Sequence, residues 1–265
     1  MRTSILNIIS FAISLAILAW GALLVLGYNE LNIISTQYEF LNLPSLAIVF
    51  GGIAASVFIS YPFKKVIKAL RESTRLFTQS NIDDKLLEED VHRVLSWQKR
   101  IRKDRIEAVA ALSEEYSGKF EGYLFSILDT NYTTEEFRNL GEINVHETYT
   151  RQQQINQIIG SMGKTAPVFG MLGTLFGLIV ILTGLSEIQS LLAGLAAALM
   201  TTLYGIVIGN FIFIPMAKKL NDIAALNYFR EKLILEGIIL IQQNKSSLQI
   251  YDRLKAHMHR SVQQF

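Results

Sequence analysis

Lys164–Ala217 reads KTAPVFGMLGTLFGLIVILTGLSEIQSLLAGLAAALMTTLYGIVIGNFIFIPMA, and this stretch decides the fold. It holds two apolar spans, Thr165–Ser186 and Ile188–Ala217, parted by one charged residue, Glu187. A membrane helix needs about 20 apolar residues, so each span is long enough to cross a bilayer. No carboxylate or amine lies inside either span. The polar groups singled out there are hydroxyls: Thr174, Thr183, Thr201, Thr202 and Tyr204. Hydroxyls can coordinate a cation or hold water, but they do not act as acid–base carriers of a proton at physiological pH. If ions follow this hairpin, the titratable group belongs to another chain. The plainer reading is that each threonine bonds back to its own helix, and both readings stand open.

Small residues recur on both spans. Gly170, Gly173 and Gly177 fall in the first and Gly205 and Gly209 in the second, with the small-xxx-small spacing of packed membrane helices. Packing within one chain and packing between copies satisfy that spacing equally. Pro167 and Pro215 stand near the outer ends of the hairpin. Each either kinks a helix, as a hinge would, or occupies a first turn or a helix end, where proline is tolerated.

Working outward, Phe40–Phe63 is another charge-free run, with Pro44 near its start and Gly51-Gly52 in its middle. Thr3–Asn29 is a further one, read as a retained helix because only Arg2 precedes it and the run is long for a signal peptide. The polar loop Glu30–Glu39 joins the two. Lys64, Lys65, Lys68, Arg71 and Arg75 follow the second run, and Lys164, Lys218 and Lys219 flank the hairpin. Such cations mark the cytoplasmic side. The expected fold is all-α, with four transmembrane helices arranged two plus two. Residues 1–63 carry helices 1 and 2 with a short external loop, and 64–163 a cytoplasmic helical domain. Residues 164–217 are the hairpin and 218–265 a helical tail, with both termini cytoplasmic.

In the cytoplasmic segment, Asn81-Ile82-Asp83-Asp84 reads as a turn or helix start before the periodic run Leu86–Leu112. A basic cluster, Lys99–Arg105, lies inside that run. Phe120–Asp129 is a further helical piece, and Thr133/Thr134 before Glu135-Glu136 are N-cap candidates. The tail offers an amphipathic helix over Lys218–Gln243, with Leu226, Phe229, Leu233, Ile234, Ile238 and Ile241 as its apolar stripe, then a short helix over about Leu248–His259.

Composition agrees with a membrane protein and narrows the chemistry. Half of the 265 residues are hydrophobic, and the net charge is only +2, too small for a nucleic-acid field. With no cysteine there is no disulfide framework or thiolate site. The four histidines have no ligand spacing, and no nucleophile–base pair or phosphate loop is visible, so neither an enzyme nor a cofactor is expected.

Several stretches together resemble one family. Ala166–Leu178 (APVFGMLGTLFGL) is similar to the third-helix motif of the MotA/PomA flagellar stator proteins. Ala197–Gly205 (AAALMTTLYG without its first alanine) and Ile214–Leu220 (IPMAKKL) are similar to their fourth helix, Leu235–Gln242 (LEGIILIQ) to their tail, and Ser45–Gly52 to their second helix. The broader ExbB/TolQ relatives share the glycine–threonine third helix, but normally have one span before the cytoplasmic region and lack that tail. An ExbB/TolQ-like energiser of an envelope partner is therefore the alternative.

The resemblance implies a homo-pentamer in the bacterial inner membrane around two copies of a MotB/PomB-like single-span partner anchored to peptidoglycan. The partner's aspartate would carry inward H⁺ or Na⁺, and the ring would push a FliG-like rotor protein. It places Thr174, Thr201, Thr202 and Tyr204 along the ion path and makes Pro167 and Pro215 the coupling prolines. Rotor contact falls to Arg102, Arg105, Glu107 and Glu114. In the family pattern Ala-Arg-x-x-Gly-hydrophobic-hydrophobic-Ala-Leu-Glu, Arg102 matches the arginine, Arg105 replaces the glycine and Ala110 the glutamate. Asn244-Lys245-Ser246-Ser247 likewise replaces the family's usual Gly-x-Asn-Pro.

Overall fold

A computed structural model describes residues 42–76, 84–130, 132–183 and 188–262. The expected first span Thr3–Asn29, the loop Glu30–Glu39 and Glu187 lie outside the described residues. The described chain is helical: α1 Leu43–Ser60, α2 Phe63–Arg75, α3 Asp84–Lys103, α4 Arg105–Glu115, α5 Phe120–Leu128 and α6 Thr134–Thr183. Then come α7 Ile188–Val207, a π-helical segment Ile208–Phe213, α8 Ile214–Gln242 and α9 Ser247–Val262. Among the described residues, three stretches are long and apolar enough to cross a bilayer: Leu43–Ser60, Thr134–Ile179 and Gly194–Gln242.

The chain forms two compact units. The first contains α1, α2, residues 155–183 of α6, α7 and residues up to Leu220. Asn42 caps α1, its side chain accepting from the Ser45 N–H at 3.1 Å, and Pro44 sits in the first turn, where its missing N–H costs nothing. Ser45, Val49, Ile53 and Val57 line the buried face of α1 at helical spacing. Ser45 Oγ donates to the Ala197 carbonyl at 3.0 Å, tying α1 to α7. Pro62 follows α1, and α2 begins at once. α2 buries Val66, Ala69 and Ser73 and leaves Lys64, Lys68 and Arg71 in the open.

The second unit contains residues 84–154, without the undescribed Asn131, and the chain from Asn221 onward. Its core joins Val94, Trp97 and Ile101 of α3 to Leu112 of α4, Phe125 of α5 and Phe137 of α6, around α8 and α9. Trp97 meets Phe125 edge to face at 5.2 Å. The tail helix is more deeply enclosed than a one-sided stripe requires, because Leu233–Ile241 is buried on every side. Gly237 lies against Val94, Leu235 against Gly141, and α9 adds Ile250 and Leu254.

Periodicity across Leu86–Leu112 suggested one helix, and the structure has two. Asp104 breaks the run: its backbone is extended, and its carboxylate accepts from the Glu107 N–H at 3.2 Å, starting α4. The N-cap expected at α6 is a full capping box. Thr133 Oγ1 accepts from the Glu136 N–H at 3.3 Å, while Glu136 Oε2 accepts from the Thr133 N–H at 2.9 Å.

α8 ends in a Schellman turn. The Lys245 N–H donates to the Leu240 carbonyl at 3.0 Å and the Asn244 N–H to the Ile241 carbonyl at 2.9 Å, with Asn244 at φ 53°. Asparagine thus does what glycine usually does at such a position. Ser246 and Gln249 then form a second capping box at the start of α9.

Candidate functional site

The site is built on the antiparallel seam between α6 and α7. Gly177 faces Ala198, Gly173 faces Thr201, Gly170 faces Gly205, and Gly209 faces Gly163 and Pro167, in continuous register. A methyl on Gly205 would stand 2.6 Å from the Ala166 carbonyl oxygen, and one on Gly177 2.6 Å from Ala198 Cβ. All five glycines are buried and all five serve packing within the chain. Small residues let the backbones approach closely where lipid supplies no hydrophobic drive.

The predicted ion-path hydroxyls take different places on this frame. Thr201 is buried in the seam, its hydroxyl donating to the Ala197 carbonyl at 2.6 Å and its methyl lying over Gly173. Thr202 reaches across and donates to the Gly170 carbonyl at 3.3 Å. Thr174 is half-buried and donates back to the Met171 carbonyl at 2.6 Å. Tyr204 points toward α1, its hydroxyl accepting from the Asn42 N–H at 3.1 Å. The hydroxyls do not converge on one point. The side chain of Thr183 lies outside the described residues.

Sequence reading passed over a carboxamide near the end of the fourth span. Asn210 is exposed within the π-helical segment, where the Ile214 N–H bonds to the Gly209 carbonyl, five residues back. Its signal was the carboxamide itself, alone among the apolar residues of Ile206–Ala217. The segment precedes Pro215, whose missing N–H would leave a carbonyl unbonded in a regular ladder, and the wider turn redistributes those bonds. Pro215 therefore does not end a helix. Pro167 is likewise not in a first turn: it sits inside α6, with its ring against Gly209.

The second unit carries a charge cluster that no motif announced. Asp90 is fully buried and takes two hydrogen bonds from Arg230, at 2.6 and 3.0 Å, and another from Arg93. Arg93 also reaches Glu121 at 3.4 Å. The bond to Asp90 holds the Arg230 guanidinium above its usual pKa, against the opposing effect of burial. Beside it, burial first and the Glu121 charge second push Glu231 up to about 7, with Arg230 opposing. A further carboxylate, Glu236, is buried on α8 and pairs with Arg138 at 2.8 Å and Arg253 at 3.6 Å. The Asp90–Arg93 spacing was visible in sequence; Arg230, far along the chain, was not.

The predicted rotor-contact charges are all exposed. Arg102 and Arg105 line one cleft of about 410 Å³, and Arg105 also lies 3.4 Å from Asp129. Glu107 stands in the first turn of α4 and Glu114 near its end, and neither lines that cleft. Among the described residues no three His, Asp or Glu side chains form a metal-holding group.

The sequence profile of the MotA/TolQ/ExbB proton channel family matches residues 78–227. The chain belongs to that family. It is 30% identical to the Bacillus subtilis (strain 168) protein YtxD, itself uncharacterized, over 88% of this chain and 84% of that one. It is 29% identical to Motility protein A of Treponema phagedenis, over 83% and 84%. Its fold is similar to that of the C. jejuni MotAB structure, with a TM-score of 0.79, 22% identity and 94% of each chain covered.

Proposed function

We propose that this chain is the membrane subunit of a flagellar stator and, with a single-span partner, couples inward ion flow to torque on the rotor. The observation that carries the reading is the close-packed α6–α7 seam, hydroxyl-bearing and without a titratable carboxylate in 165–183 or 188–217. Such a seam can wall an ion path but cannot relay a proton, so the carrier is a carboxylate on a MotB/PomB-like partner. Relatives named Motility protein A support this over the ExbB/TolQ-like alternative.

In this reading Thr174, Thr202, Thr201 and Tyr204 border the path for H⁺ or Na⁺, and Pro167 and Pro215 transmit the motion. Five copies surround two partner chains in the inner membrane, both termini are cytoplasmic, and Arg102, Arg105, Glu107 and Glu114 meet a FliG-like rotor protein. The cations after α1 and beside the hairpin support that orientation.

The test is complementation of a deletion strain with Pro167→Leu and Thr174→Ala, reading motor torque, ion flux and the amount of inserted protein. Both variants insert normally and lose torque and flux. Unchanged torque and flux in both leaves a scaffold in place of an ion path.

A further inference from the structure

The cleft holding Arg102 and Arg105 has a third cation, supplied by the turn between α8 and α9. Ile101 and Ile241, both buried, form its floor, and Arg102, Arg105 and Lys245 stand exposed around it. Lys245 is held from two sides. Its N–H closes the Schellman turn onto Leu240, and its carbonyl accepts from Gln98 Nε2 at 2.9 Å. Ser247 Oγ donates to Gln98 Oε1 at 2.6 Å and fixes that amide in turn. Gln98 is itself buried, so the loop is anchored to α3 and not free to swing.

Arg105 lies 3.4 Å from Asp129, and Lys245 shares a neighbouring cavity with Asp252; among the described residues Arg102 and Lys245 make no ion pair. Like charges gathered over an apolar floor repel one another, and an acidic occupant relieves that repulsion. A cationic rim around isoleucines matches a segment offering carboxylates beside an aliphatic side chain better than it matches a bare anion.

We propose that Lys245 completes the docking cleft for the rotor, so that α3, α4 and the α8–α9 turn together receive an acidic segment of the partner protein. This rests on the stator reading and adds the tail to a contact expected only from residues 102–114. Charge, not backbone support, is the contribution: the turn's hydrogen bonds run through main-chain atoms and survive replacement of the side chain.

The experiment compares Lys245→Glu, Lys245→Met and Arg102→Glu in full-length protein with its native partner. It reads tethered-bead torque, inserted protein, and restoration by lysine substitutions at acidic residues of the rotor protein. A several-fold torque loss is expected for Lys245→Glu at normal inserted levels, a smaller loss for Lys245→Met, and partial restoration by a rotor substitution. Wild-type torque in Lys245→Glu, or a loss that no rotor substitution restores, overturns the proposal. If Lys245→Glu fails to insert, Lys245→Met decides: reduced torque supports the proposal and full torque overturns it. A deletion strain that swims normally defeats the stator reading itself.

Discussion

Gly205 lies directly on Gly170: a methyl on Gly205 would stand 2.9 Å from Gly170 Cα and 2.6 Å from the Ala166 carbonyl oxygen. Those obstacles are backbone atoms, which cannot turn aside as a side chain would. Gly205→Ala therefore destabilises the membrane unit by about 1–3 kcal/mol through overpacking, and Gly205→Val by more. Gly51→Ala is the control, since nothing lies within 4 Å of its site, and it is neutral or stabilising by up to about 1 kcal/mol through helix propensity. Thermal unfolding of the purified protein in detergent, followed by helical circular dichroism, checks both.

Asn244 closes α8 with a positive φ, which asparagine tolerates and branched residues do not. Asn244→Gly leaves stability unchanged or slightly raised. Asn244→Val lowers it by about 1–2 kcal/mol, the cost of placing an ordinary side chain in the left-handed region. The same unfolding assay, run on the two variants side by side, reads the difference.

Asp90 joins α3 to α8 through Arg230 and is fully buried. Removing the carboxylate strips Arg230 of its partner and leaves Arg93 with Glu121 alone, at a cost of about 3 kcal/mol, the lower end for a buried pair because both arginines keep some exposure. Asp90→Asn is milder than Asp90→Ala, because the amide oxygen still accepts one bond. Chemical denaturation with intrinsic tryptophan fluorescence measures it, since Trp97 lies in the same core.

Glu231 gives stability a pH dependence. Its pKa is raised from 4.5 to about 7, so between those values the folded chain holds a proton that the unfolded chain has lost. Stability from this group is fully present below pH 4.5 and falls as pH rises through about 7. Glu231→Gln flattens that part of the profile and leaves the rest unchanged. Melting temperatures taken at intervals across that window decide the matter.

Much of this was readable from residue patterns. The uncharged lengths marked the apolar stretches of α1, α6 and α7, and Thr133 with Glu136 marked the start of α6. The length of α6 was not readable, because the change at Lys164 is one of composition and no capping group or glycine turn interrupts the backbone there. The break at Asp104 was hidden for the opposite reason: apolar spacing continues through it, and the Asp104–Glu107 cap was overlooked. Arg230 meets Asp90, and Lys245 meets Gln98, only after the tail has folded back, and local spacing holds no record of such pairings. In the site, the spacing of the five glycines was legible, while the neighbour of each glycine and the partner of each hydroxyl depended on rotation of α7 against α6.

The π-helical segment Ile208–Phe213 also sets an angular phase. At about 100° per residue, an unbroken α-helix would carry Ala217 roughly 80° around from Gly209 and off the seam. A π turn absorbs one extra residue, and that correction returns Ala217 to within roughly 20° of the Gly209 face. Ala217 does lie beside Gly160 there. The seam thus tolerates losing one residue from this segment better than gaining one.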